Sequence, residues 1–284
     1  MKLSSIYQKK DCVISFEVFP PKKTDSIEKI YATLEQTTDY QPDFISVTYG
    51  AGGSIADQQT LAIAATLKEK YQIESLHHLT CVKKSQAEID QIVAAIKAHN
   101  IENILALRGD LPLTDADLPD FHYAKDLIGY LHQTQPDLCL GAACYPEGHI
   151  SQLDCHENSQ HLLAKQTSGA EFLISQLFFD NRVFYQLMEQ AQQAGVTIPI
   201  SAGIMPILSQ QQVAKMIFMC GSSLPAELIK LIHRYGHDAP SLRQAGLEYA
   251  LTQMEDLKKQ GVDGIHVYTM NRPEIARAAM ELLR

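Results

Sequence analysis

The amino-acid sequence predicts an α/β fold, a (βα)8 TIM barrel with extra helices before the last strand, and three observations carry that expectation. Short apolar runs rich in β-branched residues alternate with longer stretches of helical period along the whole chain. Eight such runs occur in 284 residues, which fits a closed parallel barrel better than an open doubly wound sheet. Unusual polar residues also gather at the carboxyl ends of the runs, where a barrel keeps its active site.

The first strand, Cys12–Phe19, alternates as Val13-Ile14-Ser15-Phe16-Glu17-Val18-Phe19 and ends at Pro20-Pro21, before a helix at Ser26–Gln36. The second strand, Asp43–Tyr49, runs into Gly50-Ala51-Gly52-Gly53-Ser54 and a helix at Asp57–Lys70. Glu74–Cys81 is the third strand, and Ser85-x-x-Glu88 opens the next helix, Gln86–His99, with capping-box spacing. The pairs continue with Asn103–Leu107 and helix Tyr123–Gln133, then Leu138–Tyr145 and helix Asn158–Ser168. Glu171–Leu177 and helix Arg182–Ala194 follow, then Ile198–Gly203 and helix Gln210–Met219. Before the eighth strand, Gly264–Tyr268, the chain inserts helical segments at Pro225–Tyr235 and Ser241–Gln260, and a last helix spans Pro273–Leu283. No linker-like or low-complexity tract divides the chain, so a single domain over 1–284 is expected.

Composition excludes several classes. Hydrophobic residues at 45% and charged residues at 20% are those of a folded globular protein, not of a disordered or collagenous one. A net charge of −9 argues against non-specific attraction to nucleic acid or anionic lipid. No apolar run has the length of a membrane span or signal peptide, so a cytoplasmic protein is expected. The six cysteines form no Cys-x-x-Cys pair and read as reduced thiols. The 11 histidines show no His-Glu-x-x-His spacing, so no metal is expected.

Glu17 is the sharpest anomaly, a carboxyl group in an otherwise apolar strand on the same face as Val13 and Ser15. Desolvation at the top of a barrel raises a carboxyl pKa toward neutrality, which suits a general acid; the alternative is a buried structural carboxylate with a cationic partner. Arg108-Gly109-Asp110 ends the fourth strand and reads either as a ligand contact or as a turn with an exposed ion pair. The glycine-rich turn after Tyr49 reads equally as an anion cradle or a tight βα turn. Of His77 and His78, alternation points one inward and one outward, leaving a single site candidate. Met216 and Met219 lie at helical spacing and default to core packing, and Lys165 alone reads as a helix cap.

Taken in order, Ser15-Phe16-Glu17-Val18-Phe19-Pro20-Pro21, Val47-Thr48-Tyr49-Gly50-Ala51-Gly52-Gly53-Ser54, His78-Leu79-Thr80-Cys81, Leu107-Arg108-Gly109-Asp110, Tyr145-Pro146-Glu147-Gly148-His149, Gln176-Leu177-Phe178-Phe179-Asp180 and Tyr268-Thr269-Met270-Asn271-Arg272 strongly resemble the methylenetetrahydrofolate reductase family, of the bacterial catalytic-domain-only type. The resemblance spans Ser15 to Arg272. It implies a TIM-barrel flavoenzyme that passes hydride from NADH or NADPH through FAD to 5,10-methylenetetrahydrofolate, giving 5-methyltetrahydrofolate with ping-pong kinetics. By motif, Glu17 resembles the general acid and Thr48 the nicotinamide contact, while Asp110 offsets the charge of the folate iminium. FAD contacts are implied for Tyr49, Ala51, His78, Arg108, Gly109, Asp110, Ala124, Tyr145, His149 and Lys165, and folate contacts for Asp110, Gln176, Gln212 and Arg272. Homo-oligomers, which the family often forms, are implied as well.

Asn158 and His161 stand where the family often has Asp and Asn ahead of its FAD-binding lysine, and Met216 where an aromatic ring often stacks on the ligands. A thioether still packs on a ring face, less rigidly. Two further readings of the residues are a flavin-free barrel lyase or aldolase using the glycine-rich turn for a phosphate, and a non-catalytic folate- or flavin-binding subunit.

Overall fold

The computed structural model describes residues 1–21, 27–48, 54–110, 120–150 and 158–284, with 54–57 as backbone only. Tyr49, Gly50, Ala51, Gly52 and Gly53 lie outside the described residues, as does Cys155. The chain begins with α1 (Ser4–Tyr7), β1 (Val13–Val18), α2 (Ile27–Thr38), β2 (Phe44–Val47), α3 (Ser54–Glu69), β3 (Glu74–Thr80), α4 (Gln86–Ala98) and β4 (Asn103–Leu107). It continues with α5 (Ala124–Thr134), β5 (Cys139–Cys144), α6 (Asn158–Thr167), β6 (Phe172–Ser175), α7 (Asn181–Gln193) and β7 (Ile200–Ile204). Three helices, α8 (Gln210–Cys220), α9 (Ala226–Tyr235) and α10 (Ala239–Lys259), precede β8 (Gly264–Tyr268), and α11 (Pro273–Leu283) ends the fold. The eight strands close into one barrel in sequence order, every neighbouring pair parallel, as a TIM barrel requires.

Alternation along each strand divides the core in two. On β1, Phe16 and Val18 face outward into the layer shared with the helices, where Ile30, Leu34, Ile63 and Leu67 also pack. Val13 faces inward and joins Leu76, Leu105, Phe44 and Phe172 at the amino end of the barrel interior. The short helix α1 plugs that end with Leu3, Ile6 and Tyr7. It is pinned by Asn103, whose Oδ1 accepts the Leu3 N–H at 2.9 Å, and by a 2.7 Å bond between the Tyr7 and Ser201 hydroxyls. Four residues are too few for a periodic pattern, so the plug had no signal of its own in the sequence.

Toward the carboxyl end the interior turns polar, with Ser15, Ser46, His78 and His266 buried above the apolar plug. Two glycines allow close approach there. Gly109 has φ +89°, and a Cβ on it would stand 2.7 Å from Val82 Cγ1. A Cβ on Gly203 would stand 2.3 Å from the Ser175 carbonyl oxygen and 2.9 Å from the Tyr268 ring. Ser85 caps α4 with the expected box, its Oγ accepting the Glu88 N–H at 3.3 Å while Glu88 Oε2 accepts the Ser85 N–H at 2.8 Å. Met216 packs, half-buried, against the cluster of Leu177, Phe179 and Ile207, but the expectation of a core position for Met219 is corrected: its side of α8 faces solvent.

Candidate active site

Glu17 sits at the top of β1 facing the barrel interior, as alternation requires. Its Oε1 accepts the Thr48 hydroxyl at 2.8 Å, and its Oε2 meets Ser46 Oγ at 3.3 Å and His266 Nε2 at 3.4 Å. His78 Nε2 lies 3.6 Å from the same oxygen without a hydrogen bond. The backbone around Glu17 is tied down by the segment after β8. Thr269 Oγ1 donates to the Glu17 carbonyl at 2.7 Å, and Asn271, at φ +54°, exchanges two bonds with the backbone of Phe19.

The expected upward shift of the Glu17 pKa is corrected. Burial does push it up and is the largest influence, but the hydrogen bonds of His266 and Thr48 and the positive charge that His78 and His266 carry when protonated together outweigh it. The carboxyl group therefore lies below its ordinary value. Burial dominates at His78 instead, pushing it down to about 4 despite Glu17, so that ring is neutral at pH 7. His77 faces the opposite side of β3, buried and with Nδ1 unpartnered, and burial pushes it down to about 3.

A cleft of about 470 Å3 opens at the ends of β4 and β5. Arg108, Ala124, Tyr145, His149 and Lys165 line it together, so five of the residues singled out in the sequence share one wall. Tyr123, Lys125, Asn158 and His161 line it as well; of these, Tyr123 and Lys125 carried no signal beyond their proximity to Ala124. Lys165 is buried in the last turn of α6, with Nζ donating to the Ala143 carbonyl at 2.8 Å and standing 5.6 Å from the centre of the Tyr145 ring. Burial first, and the Arg108 charge second among the downward influences, bring it to about 8. An ammonium has three donors, and Lys165 uses only this one among the described residues. Asn158 is engaged as a brace, its Nδ2 donating to the Tyr145 carbonyl at 2.7 Å. A cationic cleft with aromatic walls and an under-used buried ammonium fits an anionic, ring-bearing ligand.

The remaining candidates lie on the same rim with unequal freedom. Asp110 is exposed, makes no hydrogen bond or ion pair among the described residues, and acts electrostatically on Tyr145, His149 and Cys220. Gln176 Oε1 accepts the Leu177 N–H at 2.9 Å, leaving its amide N–H groups available. Gln212 is engaged at both ends, accepting from Leu208 N at 2.7 Å and donating to the Pro206 carbonyl at 3.2 Å, so here it braces the turn into α8. Arg272 reaches Glu274 at 3.2 Å. A second cavity, of about 370 Å3, lies at the amino ends of β7 and β8, where Asp263 already accepts the Ile200 N–H at 2.9 Å.

The chain is 30% identical over 284 residues to methylenetetrahydrofolate reductase (NADH) 1 of Arabidopsis thaliana, covering 95% of this chain and 48% of that protein. It is 31% identical over 270 residues to 5,10-methylenetetrahydrofolate reductase of Pectobacterium carotovorum, covering 95% of this chain and 89% of that protein. It thus spans about half the length of the plant and fission-yeast relatives and most of the bacterial ones. A solved Clostridium thermocellum protein, described as binding two copies of 5-methyl-5,6,7,8-tetrahydrofolic acid, shares the fold at a TM-score of 0.68 and 16% identity, over 99% of this chain and 97% of that one. Since the model of the methylenetetrahydrofolate reductase family matches residues 2–284, the whole barrel with its rim, the chain belongs to that family.

Proposed function

We propose that this protein reduces 5,10-methylenetetrahydrofolate to 5-methyltetrahydrofolate with FAD, taking hydride from NADH or NADPH, and that residues 1–284 act as one cytoplasmic catalytic domain. The observation that carries the reading is the pairing, at one end of the barrel, of a carboxyl group held at the mouth with a cationic, aromatic-walled cleft beside it. Arg108, Lys125 and Lys165 supply charge for a diphosphate, and Tyr123, Ala124, Tyr145 and His149 supply walls for rings, so the residues present fit FAD. When bound, FAD supplies a two-electron carrier between nicotinamide and folate.

The chain's own residues then do the following. Glu17 gives a proton to the N10 amine of the substrate, which opens the five-membered ring and leaves a cation at N5. Asp110 is an anion at the rim that offsets this charge. Thr48 and Ser46 fix the carboxyl orientation. Gln176 offers its free amide N–H groups to the pterin.

The test is spectroscopic. Protein incubated with excess FAD and desalted is expected to stay yellow, to bleach anaerobically with NADH or NADPH, and to recover its colour with methylenetetrahydrofolate. Colourless protein after desalting removes the flavoenzyme reading. Flavin that bleaches but never recovers with folate leaves a flavin-binding protein of other function.

A further inference from the structure

The barrel wall is least continuous between β6 and β7. Among the described residues their ladder holds only the pairs Leu173–Ile200 and Ile174–Ser201, whereas β5–β6 and β7–β8 each keep four. Above Ser201 side chains join the two strands in place of backbone. Gly203 N–H donates to Ser175 Oγ at 2.8 Å, Ser175 Oγ donates to the Gln176 carbonyl at 2.9 Å, and the Tyr268 hydroxyl, arriving from β8, donates to the Ser175 carbonyl at 2.9 Å. Tyr268 reaches β6 because β7 puts no side chain in its path: a Cβ on Gly203 would stand 2.9 Å from the Tyr268 ring and 3.0 Å from its hydroxyl oxygen. The same ring lies edge-on to His266 at 5.4 Å, and Tyr268 is the register partner of Glu17 on β1. One phenol therefore runs from the strand beside the acid to the strand that leads into Gln176.

We infer that Tyr268 is a positioning residue for folate, a strut whose hydroxyl, through the Ser175 carbonyl, holds Gln176 where the pterin meets its amide N–H groups. This rests on the folate-reducing reading above. The backbone of Gln176 is tied to β5 on its other side, where its N–H donates to the Cys144 carbonyl at 2.7 Å. Its side chain folds back so that Oε1 accepts the Leu177 N–H, and the direction of the amide therefore follows the backbone at 176–177. Any drift of the β6 end away from β8 moves that amide relative to Glu17. The strut lies where water does not substitute for it, since Ser175 is buried and a lost phenol leaves its carbonyl without that donor. The carboxyl group of Glu17 takes its own hydrogen bonds from Thr48, Ser46 and His266, and Tyr268 is not among the residues lining the Lys165 cleft. Loss of the phenol is thus felt in folate binding, apart from proton transfer and from FAD.

Tyr268→Phe keeps the ring and removes the one bond. Titration of the FAD-saturated variant with 5-methyltetrahydrofolate is expected to show affinity ~10-fold weaker than wild type, the equivalent of one hydrogen bond. In stopped flow, bleaching by nicotinamide is expected to stay within about twofold, while recovery needs ~10-fold more methylenetetrahydrofolate to reach half its limiting rate and that limiting rate changes by no more than about threefold. A merely structural tyrosine lowers the melting temperature without this split, and unchanged folate affinity overturns the inference. The double variant with Gln176→Ala identifies the route. Once the amide is gone, Tyr268→Phe is expected to weaken folate binding by no more than about a further twofold, and losses that simply multiply overturn the inference. Side-chain amide signals of 15N-glutamine-labelled protein give a readout free of folate, with Gln176 assigned by its loss in Gln176→Ala. They are expected to shift in ligand-free Tyr268→Phe, and coincident Gln176 signals overturn the inference. If wild-type protein does not bind 5-methyltetrahydrofolate, the functional reading fails, while these spectra still decide whether Tyr268 positions Gln176. Should Tyr268→Phe not fold, Ser175→Ala releases Gly203 and the Gln176 carbonyl and is expected to give the same loss of folate affinity and the same spectral shift.

Discussion

The Glu17 chamber and the Lys165 cleft stand side by side at the carboxyl end of the barrel and are built by opposite means. The chamber is made of strand residues whose faces are fixed by β alternation, and its polar atoms are largely satisfied by one another: Glu17, Thr48, Ser46, His266 and Ser15 form one connected set. The cleft draws on strand ends, the starts of helices and the last turn of α6, and its cations face one another without a carboxylate among the lining residues. Mutual satisfaction holds a reacting group in place, whereas unbalanced like charge waits for an anion. The chamber is therefore organised for chemistry and the cleft for binding, and substitutions in each have separable consequences.

The largest separation is expected from Glu17→Gln, which keeps the size and removes the proton donor. Folate-driven recovery of the flavin should slow by ~100-fold or more, the usual contribution of a general acid, while bleaching by nicotinamide changes by no more than about threefold. Stopped-flow absorbance follows both halves in one sample. Recovery at the wild-type rate makes Glu17 a structural carboxylate and erases the chemical half of the contrast.

Lys165→Met should produce the complementary pattern. Losing a charge-assisted contact worth about 1.5–3 kcal/mol weakens FAD binding by ~10- to 100-fold, with both half-reactions near normal once FAD is saturating. Acidity sharpens this result. Lys165 in the free site titrates at about 8, pushed down by burial and Arg108, so above that pH the site must take up a proton to meet an anion. Wild-type FAD affinity should fall as pH rises through 8, and the variant should lack that dependence. Fluorescence titration of FAD from pH 6.5 to 9.5 reads both, and a flat wild-type profile places Lys165 outside the diphosphate contact.

The two regions were also unequally legible in the sequence. All eight strands were readable because β alternation and apolar runs are strong local signals, and Glu17 stood out for breaking one. His266 breaks Gly264-Ile265-His266-Val267-Tyr268 in the same way, yet a single buried histidine is common in cores, and only closure of β8 against β1 brings it to Glu17. The pKa of Glu17 was misread because desolvation belongs to one residue, whereas the opposing hydrogen bonds come from neighbouring strands. In the cleft, Arg108, Ala124, Tyr145, His149 and Lys165 came from the family resemblance, since residues assembled from four elements share no periodicity. Tyr123 and Lys125 flank the resembling Ala124 and were invisible even so. Met219 was misplaced because helical spacing fixes a face without saying whether anything covers it.

The smallest expected effect belongs to His77, which lies outside both regions and isolates burial from function. It neighbours His78 on β3 but points away from Glu17, into the layer between barrel and helices, where no carboxylate offsets its desolvation. Its ring stays neutral in the folded protein down to about pH 3, against an ordinary value near 6.5 when unfolded. As pH falls below 6.5 the unfolded chain takes up the proton first, so this contribution to stability is fully present above 6.5 and declines toward pH 3. By pH 5.5 the loss amounts to about 1 kcal/mol. His77→Leu removes the titrating group and the unpartnered Nδ1 together, so urea denaturation should find the variant's stability relative to wild type rising by about that amount between pH 7.5 and 5.5. His78 leaves a residual slope in both proteins and cancels in the comparison. Flavin bleaching and recovery should change little, because His77 lies on the face of β3 opposite to His78 and its side chain makes no hydrogen bond to the chamber residues among the described ones. If instead the two proteins lose stability in parallel, His77 is not held neutral by burial, and the outer layer of β3 is wetter than its packing implies.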